Sequence, residues 1–259
     1  MSLLEVRDLS KQFGGNWAVD GISFDIAKGE LLAMIGPNGA GKTTTFNLVD
    51  GQLRATAGSV KLRGAELLGL SPRNIARLGV GRTFQIAATF ASLTVVENVQ
   101  MALLAHRRQI YSFFSVAARR FRREAMRLLE QVGMDSQADR PCSQLAYGDV
   151  KRVELAMALA NEPSLLLMDE PTAGMAPGER NELMALTKRL VLEREMAVLF
   201  TEHSMDVVFA HSDRMIVLAR GQMIAEGDAE TIRNHTKVQE VYFGSGKTFG
   251  RNKSPRVTI

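Results

Sequence analysis

The feature that most limits what this chain can become is Gly36-Pro37-Asn38-Gly39-Ala40-Gly41-Lys42-Thr43, set between two dissimilar runs. In front stands Leu31-Leu32-Ala33-Met34-Ile35, with the length and composition of a strand buried on both faces. Behind stands Thr44 to Asp50, which can be helical and stops at Asp50-Gly51. A glycine, four residues, then Gly-Lys-Thr between a strand and a helix is a phosphate-binding loop. The backbone N–H groups of a loop with little side-chain bulk can wrap a di- or triphosphate, and the helix N-terminus adds a favourable dipole. In such a loop Lys42 pairs with the β/γ-phosphates and Thr43 offers a hydroxyl to Mg²⁺.

The remaining chain supplies a sheet and helices around that loop. Leu3 to Leu9, Ile22 to Ile26 and Ser59 to Leu62 read as strands, with Lys11 to Trp17 as a turn-rich loop carrying two aromatics. Ser71-Pro72 opens a helix that Gly79 closes. From about residue 87 the character becomes helical. Thr94-Val95-Val96-Glu97 is a capping box ahead of a helix to about Ala105, and Ala117 to Val132 is a helix rich in arginine. Arg119, Arg120, Arg122, Arg123 and Arg127 read as a solvated face. Strands return at Leu165–Asp169 and Ala197–Thr201, with a helix from about Pro177 to Arg194 between them, which implies a parallel sheet with crossovers. Met215–Leu218 and Gln222–Ala225 form a terminal hairpin around Arg220-Gly221. Residues 244–259 read as a flexible basic tail. Its Gly244-Ser245-Gly246-Lys247-Thr248 resembles a second phosphate loop but has Val241 in place of the first glycine and no strand before it.

Four further features point at a phosphate. Asp169-Glu170 ends a buried strand, with Asp169 placed to hold Mg²⁺ and Glu170 placed to act as general base toward water. Gln85 carries an amide able to reach Mg²⁺ or that water, and His203 follows the last core strand, where an imidazole can contact the γ-phosphate. Leu145-Ala146-Tyr147-Gly148-Asp149 is a glycine-containing turn that opens a helix, a second potential phosphate site.

Composition excludes several alternatives. A net charge of +4 over 259 residues gives little support for nucleic-acid binding. The single cysteine, Cys142, rules out an internal disulfide framework and suits a reducing compartment. No signal-peptide pattern and no eighteen-residue apolar window is present, so the expectation is a soluble, cytoplasmic chain.

The phosphate loop, Gln85, the 145–149 turn, Asp169-Glu170 and His203 occur in the order found in ABC transporter ATPases, and the resemblance covers roughly residues 3 to 243. It implies an α/β, RecA-like P-loop NTPase fold: a mixed sheet core, an antiparallel β subdomain and an inserted α-helical subdomain. The expected layout is one domain over 3–243, with core segments 3–86 and 157–243 and a helical subdomain at 87–156. It implies ATP and Mg²⁺ as cofactors, with Gly36 through Thr44 around the phosphates, Thr43, Gln85 and Asp169 toward the metal, and Glu170, Gln85 and His203 in catalysis. Phe13 takes the adenine-stacking role. Two chains would pair head to tail, each ATP lying between one chain's phosphate loop and the other's Leu145, Ala146, Tyr147 and Gly148.

Arg82-Thr83-Phe84-Gln85, Leu145-Ala146-Tyr147-Gly148 and Pro171-Thr172-Ala173-Gly174 look like the ATPases of branched-chain amino acid importers, with urea-importer ATPases the nearest rival. These resemblances imply two ATPase subunits, commonly of distinct related chains though a homodimer is possible, two membrane permeases and an external solute-binding protein. The ATPase would then sit on the inner face of the membrane. Chromosome-maintenance relatives need long coiled coils between Gln85 and the turn, translation-associated ones need two cassettes, and a non-hydrolysing regulatory module fits poorly with intact Lys42, Asp169, Glu170, Gln85 and His203. Three positions depart from the general pattern. Ala146 lacks a hydroxyl expected on the partner's γ-phosphate, an interaction of about 1.5–3 kcal/mol. Asp149 stands where glutamine is usual, and Ala176 where aspartate or asparagine is usual.

Overall fold

A computed structural model describes residues 2–83, 89–107 and 114–243, without the side chains of 114–120 and 243. In chain order the elements are β1 (Ser2–Phe13), β2 (Asn16–Ala27), β3 (Leu31–Ile35), α1 (Lys42–Val49), β4 (Ala57–Leu62), β5 (Ala65–Glu66), α2 (Pro72–Arg77) and β6 (Val80–Thr83). The helical stretch follows as α3 (Val95–His106), α4 (Phe114–Val132) and α5 (Tyr147–Leu159). Then come β7 (Leu165–Asp169), α6 (Pro177–Arg194), β8 (Ala197–Thr201), α7 (Met205–His211), β9 (Arg214–Ala219), β10 (Gln222–Gly227), α8 (Ala229–Asn234) and α9 (Thr236–Phe243).

Two sheets share one interior. The larger runs β10-β9-β3-β8-β7-β6, parallel throughout except for the β9–β10 hairpin at its edge. The smaller is antiparallel, β2-β1-β4-β5. All five residues of β3 are buried because the strand is covered on both sides. Its alternation divides the core. Leu31, Ala33 and Ile35 pack with α3–α6, whereas Leu32 and Met34 face Phe46 of α1 and the small sheet's Leu4, Val6 and Val60. The loop after β3 therefore leaves the sheet at its carboxyl edge, in line with the ends of β7 and β8.

Most expected elements form with nearly the expected bounds, and Thr94 and Glu97 complete the capping box of α3. The stretch 11–17 differs. Rather than a loop, it is the end of a β-hairpin, with Gln12 opposite Trp17, Phe13 opposite Asn16, and only Gly14-Gly15 turning. Among the described residues no strand lies between 90 and 145, apart from a single bridge between Thr94 and Pro141. Arg122, Arg123 and Arg127 are exposed, with Arg122 paired to Asp139, as a solvated face requires, and the side chains of Arg119 and Arg120 lie outside the described residues. Residues 244–259, with the tail and the second loop-like motif, lie outside the described residues.

Candidate nucleotide site

The loop is shaped by its glycines and floored by strands from far along the chain. Gly36 has φ +151, and a β-carbon there would come within 2.2 Å of the Leu218 carbonyl oxygen at the end of β9. Gly41 has φ +106, and a β-carbon there would lie 2.5 Å from the Ala18 carbonyl oxygen of β2. Neither position has room for another residue. Gly221, in the β9–β10 turn, donates its N–H to the Ala40 carbonyl at 3.1 Å. Pro37, Asn38 and Gly39 are exposed, and α1 begins at Lys42 with its first amides opening onto the loop. Thr43 is exposed and Thr44 half-buried at that same helix start.

Lys42 is buried and folds back over the loop, its ammonium donating to the Gly36 carbonyl at 2.7 Å and the Pro37 carbonyl at 3.2 Å. Burial pulls its pKa below the ordinary lysine value, while Glu170 and Asp169 oppose that shift through their charge. A buried ammonium satisfied by two loop carbonyls can exchange those contacts for phosphate oxygens without leaving the loop.

The carboxylates sit at the end of β7, paired with β8. Asp169 is buried; its Oδ1 accepts the Thr201 hydroxyl at 2.7 Å, and Oδ2 faces Arg82 Nη2 at 3.4 Å. Glu170 takes the left-handed conformation at φ +49, held by its amide donating to the Thr201 side chain at 3.0 Å and the Thr201 carbonyl at 3.2 Å. A non-glycine residue in that region carries strain that surrounding bonds must hold. The result aims Glu170 Oε1 at His203 Nε2, 2.8 Å away. That imidazole nitrogen is engaged with Glu170 here, so contact with a γ-phosphate requires it to exchange partners.

Two residues beneath this pair had no sequence signal of their own. Glu202 is buried, accepting the Thr172 amide and hydroxyl on Oε1 at 2.8 and 2.6 Å and the His203 amide on Oε2 at 3.1 Å. It ties the turn after Glu170 to the backbone of His203. Arg82, at the end of β6, bonds Asn47 and Asp50 of the α1 end as well as facing Asp169, so one guanidinium spans three elements. Single polar residues within or just after an apolar strand follow no periodicity, and only the fold brings them to their partners.

The second predicted phosphate contact stands on different ground. Ala146 is the N-cap of α5, extended at φ −63 and ψ 153, with no side chain to cap the helix. Leu145 is half-buried, Gly148 buried, and Tyr147 is 46% exposed. The Tyr147 ring lies over Gly174, where a β-carbon would come within 3.4 Å of it, and Lys151 lies 5.5 Å from the ring centre. Asp149 turns toward its own chain, accepting Gln137 Nε2 at 3.3 Å. Ala176 is likewise an N-cap, that of α6, whose first turn is served by Glu179 accepting the Ala176 amide at 3.1 Å. Both alanines stand where a capping oxygen is usual.

Phe13 is 49% exposed at the hairpin end, with Lys11 Nζ 4.8 Å from its ring centre. Gln85 lies outside the described residues. No cluster of three or more His, Cys, Asp or Glu able to hold a metal occurs among the described residues. The hard oxygen donors present, the Thr43 hydroxyl and the Asp169 carboxylate, fit a cation that takes few protein ligands and shares its shell with phosphates and water.

The sequence matches the ABC transporter family over residues 19–173, and a branched-chain amino acid ATP-binding cassette transporter family over 222–248. It is 40% identical to the high-affinity branched-chain amino acid transport ATP-binding protein BraF of Pseudomonas aeruginosa, across 93% of this chain and 98% of that one. It is also 40% identical to the protein LivG of Salmonella typhimurium, described in the same words, with the same coverage. Among solved structures, the ADP conformation of MJ1267, an ATP-binding cassette of an ABC transporter, superposes with a TM-score of 0.83 at 31% identity, covering 94% of this chain and 99% of that one. The chain belongs to the ABC transporter ATP-binding family. Within it, it is an ATPase that couples ATP hydrolysis to transport, most similar to the branched-chain amino acid group.

Proposed function

We propose that this chain energises uptake of branched-chain amino acids as the ATP- and Mg²⁺-dependent subunit of an importer. The observation that carries the chemistry is the Glu170–His203 contact at the sheet edge facing Lys42, with Glu170 held strained by Thr201. Lys42 and the amides of Gly39 through Thr44 bind the phosphates, and Phe13 stacks on the adenine with its free face. Thr43 and Asp169, with Gln85, would hold Mg²⁺, which would supply neutralisation of phosphate charge. Glu170 accepts a proton from the attacking water as its oxygen bonds to the γ-phosphorus and the bond from that phosphorus to the bridging oxygen breaks, releasing ADP and phosphate. His203 orients that carboxylate and then reaches the γ-phosphate. Closure of each site needs Leu145, Ala146, Tyr147 and Gly148 of a second ATPase chain, most simply a distinct related subunit.

The branched-chain assignment is supported by the named relatives and by the C-terminal match at 222–248. Two permeases would carry the solute and dock the ATPase to the inner face of the membrane, with an external binding protein delivering it. The test is co-purification with the membrane subunits that the chain binds in its own cells, followed by ATPase assays in vesicles. Turnover should rise with binding protein loaded with leucine, isoleucine or valine. A response to urea alone would overturn the solute assignment and leave the ATPase reading standing.

A further inference from the structure

Asparagine is a poor choice for a helix interior, because its short amide competes for backbone partners. Asn98 nevertheless sits one turn into α3 and is fully buried. Its amide is spent on bonds to other segments. Oδ1 accepts the Phe90 N–H at 2.7 Å, and Nδ2 donates to the Phe90 carbonyl at 3.1 Å, so the side chain pairs with Phe90 as a neighbouring strand would. Nδ2 also donates to the Thr94 carbonyl at 2.9 Å and meets Cys142 Sγ at 3.1 Å. Cys142 is buried, and it is the third residue before Leu145.

Backbone bonds extend the same clasp. The first amides of α3, Val95 and Val96, donate to the Arg140 and Ala138 carbonyls at 2.9 and 2.8 Å. In return the Cys142 and Ser143 amides donate to the Leu93 and Ala91 carbonyls at 3.0 and 3.1 Å. The Leu145 amide then bonds the Cys142 carbonyl at 3.2 Å, and α5 follows. Residues 90–96 and 138–143 are thus laced together, with Asn98 the buried side chain that touches both. Beyond the lacing the turn is half exposed and has little of its own to fix its direction.

We propose that Asn98 is a positioning residue for the turn at 145–149: by clasping Phe90 and Cys142 it fixes where the chain enters α5, and so sets how well the turn meets a second ATPase chain. This rests on reading Leu145–Gly148 as the surface that closes the second chain's nucleotide site. Asn98 reaches no nucleotide and lies far along the chain from Gly36–Thr43, so its loss should spare ATP binding by the lone chain.

The experiment compares the lone chain with the chain assembled with its ATPase partner. Asn98→Leu keeps the buried volume and removes every bond of the amide. ATP-dependent association, followed by analytical ultracentrifugation, should weaken about 10-fold and kcat of the pair fall about 3-fold or more, with ATP affinity of the lone chain changed less than about 2-fold. The Cys142 and Ser143 amides should exchange hydrogen faster in the same variant. Cys142→Ala removes only the sulfur acceptor and should weaken association about 2- to 3-fold; it carries the test if Asn98→Leu does not fold. Val99→Ala removes buried volume from the same helix without removing these bonds, and should lower the melting temperature while association stays as in the wild type. Wild-type association in the variants that fold, an equal loss in Val99→Ala, or an equal fall in ATP affinity of the lone chain overturns the inference. Ala146→Asp separates the two readings, because it gives α5 a capping side chain and sets a negative charge where the partner's phosphate would lie. If the pair then assembles and turns over as in the wild type, the reading of the turn itself fails; if association is lost there but intact in Asn98→Leu, only the role of Asn98 fails.

Discussion

The phosphate loop and the turn at 145–149 both open onto helix N-termini and are both proposed to meet phosphate, yet the chain treats them differently. The loop is supported from beneath and at both ends: Ala18, Leu218 and Gly221 bear on its backbone, Lys42 folds back onto its carbonyls, and Arg82 fixes the α1 end against Asp169. The turn is half exposed and its N-cap carries no side-chain bond; its contacts are with Gly174 and Gln137 of its own chain. A finished surface binds alone. The turn has the character of a surface left for another molecule to complete, as the exposed Tyr147 and the unused cap position suggest.

Changes at the loop side should therefore be visible in the isolated chain, and changes at the turn should need a second ATPase chain. The largest effect is expected for Glu170→Gln. Steady-state hydrolysis by the chain assembled with its ATPase partner should fall about 10²- to 10⁴-fold while ATP still binds the lone chain, measured as phosphate release beside calorimetry; undiminished turnover would remove Glu170 from the role of base. Next, Gly41→Ala places a β-carbon against the Ala18 carbonyl at an unsuitable φ, and should weaken ATP binding to the lone chain about 10- to 100-fold. Wild-type affinity would show that the loop is less rigidly built than described.

Ala146→Ser sharpens the contrast from the other side. A hydroxyl at this N-cap should stabilise α5 by about 0.5–2 kcal/mol, raising the melting temperature by roughly 2–4 °C per kcal/mol. It should also tighten ATP-dependent association with the second chain about 10-fold, followed by analytical ultracentrifugation, with ATP affinity of the lone chain unchanged. Tighter ATP binding by the single chain would break the distinction. Asp149→Asn should act least: its carboxylate is turned to Gln137, so association is expected to change by no more than about 2-fold.

Much of the loop side was legible in sequence because it is written in patterns. A five-residue apolar run, a glycine-spaced loop and strands ending in acid or threonine carry period and position. The polar residues that hold the site were not. Arg82 and Glu202 are single charged residues whose partners lie 32 and 30 positions away in Asp50 and Thr172. The β1–β2 hairpin looked like a loop because Lys11, Gln12 and Asn16 interrupt alternation around Gly14-Gly15, while pairing across the hairpin decides the outcome. Helices α7, α8 and α9, of six to eight residues, are too short for a periodic signal and form because tertiary packing buries Val207, Ile232 and Val238.

The position of β3 sets the order in which the protein can be made. Both of its sheet neighbours, β8 and β9, come from residues 197–219, and the turn that supports Ala40 follows at 221. A nascent chain that has passed the ribosome only as far as α6 carries the whole Gly36–Thr43 motif without the strands that shape it. Such distant pairings form slowly, and they leave both hydrogen-bonding edges of β3 unpaired until residues 197–219 have been made. The most recognisable segment of the sequence is thus among the last to acquire its structure, and an interrupted translation product would carry the motif with no capacity to bind nucleotide.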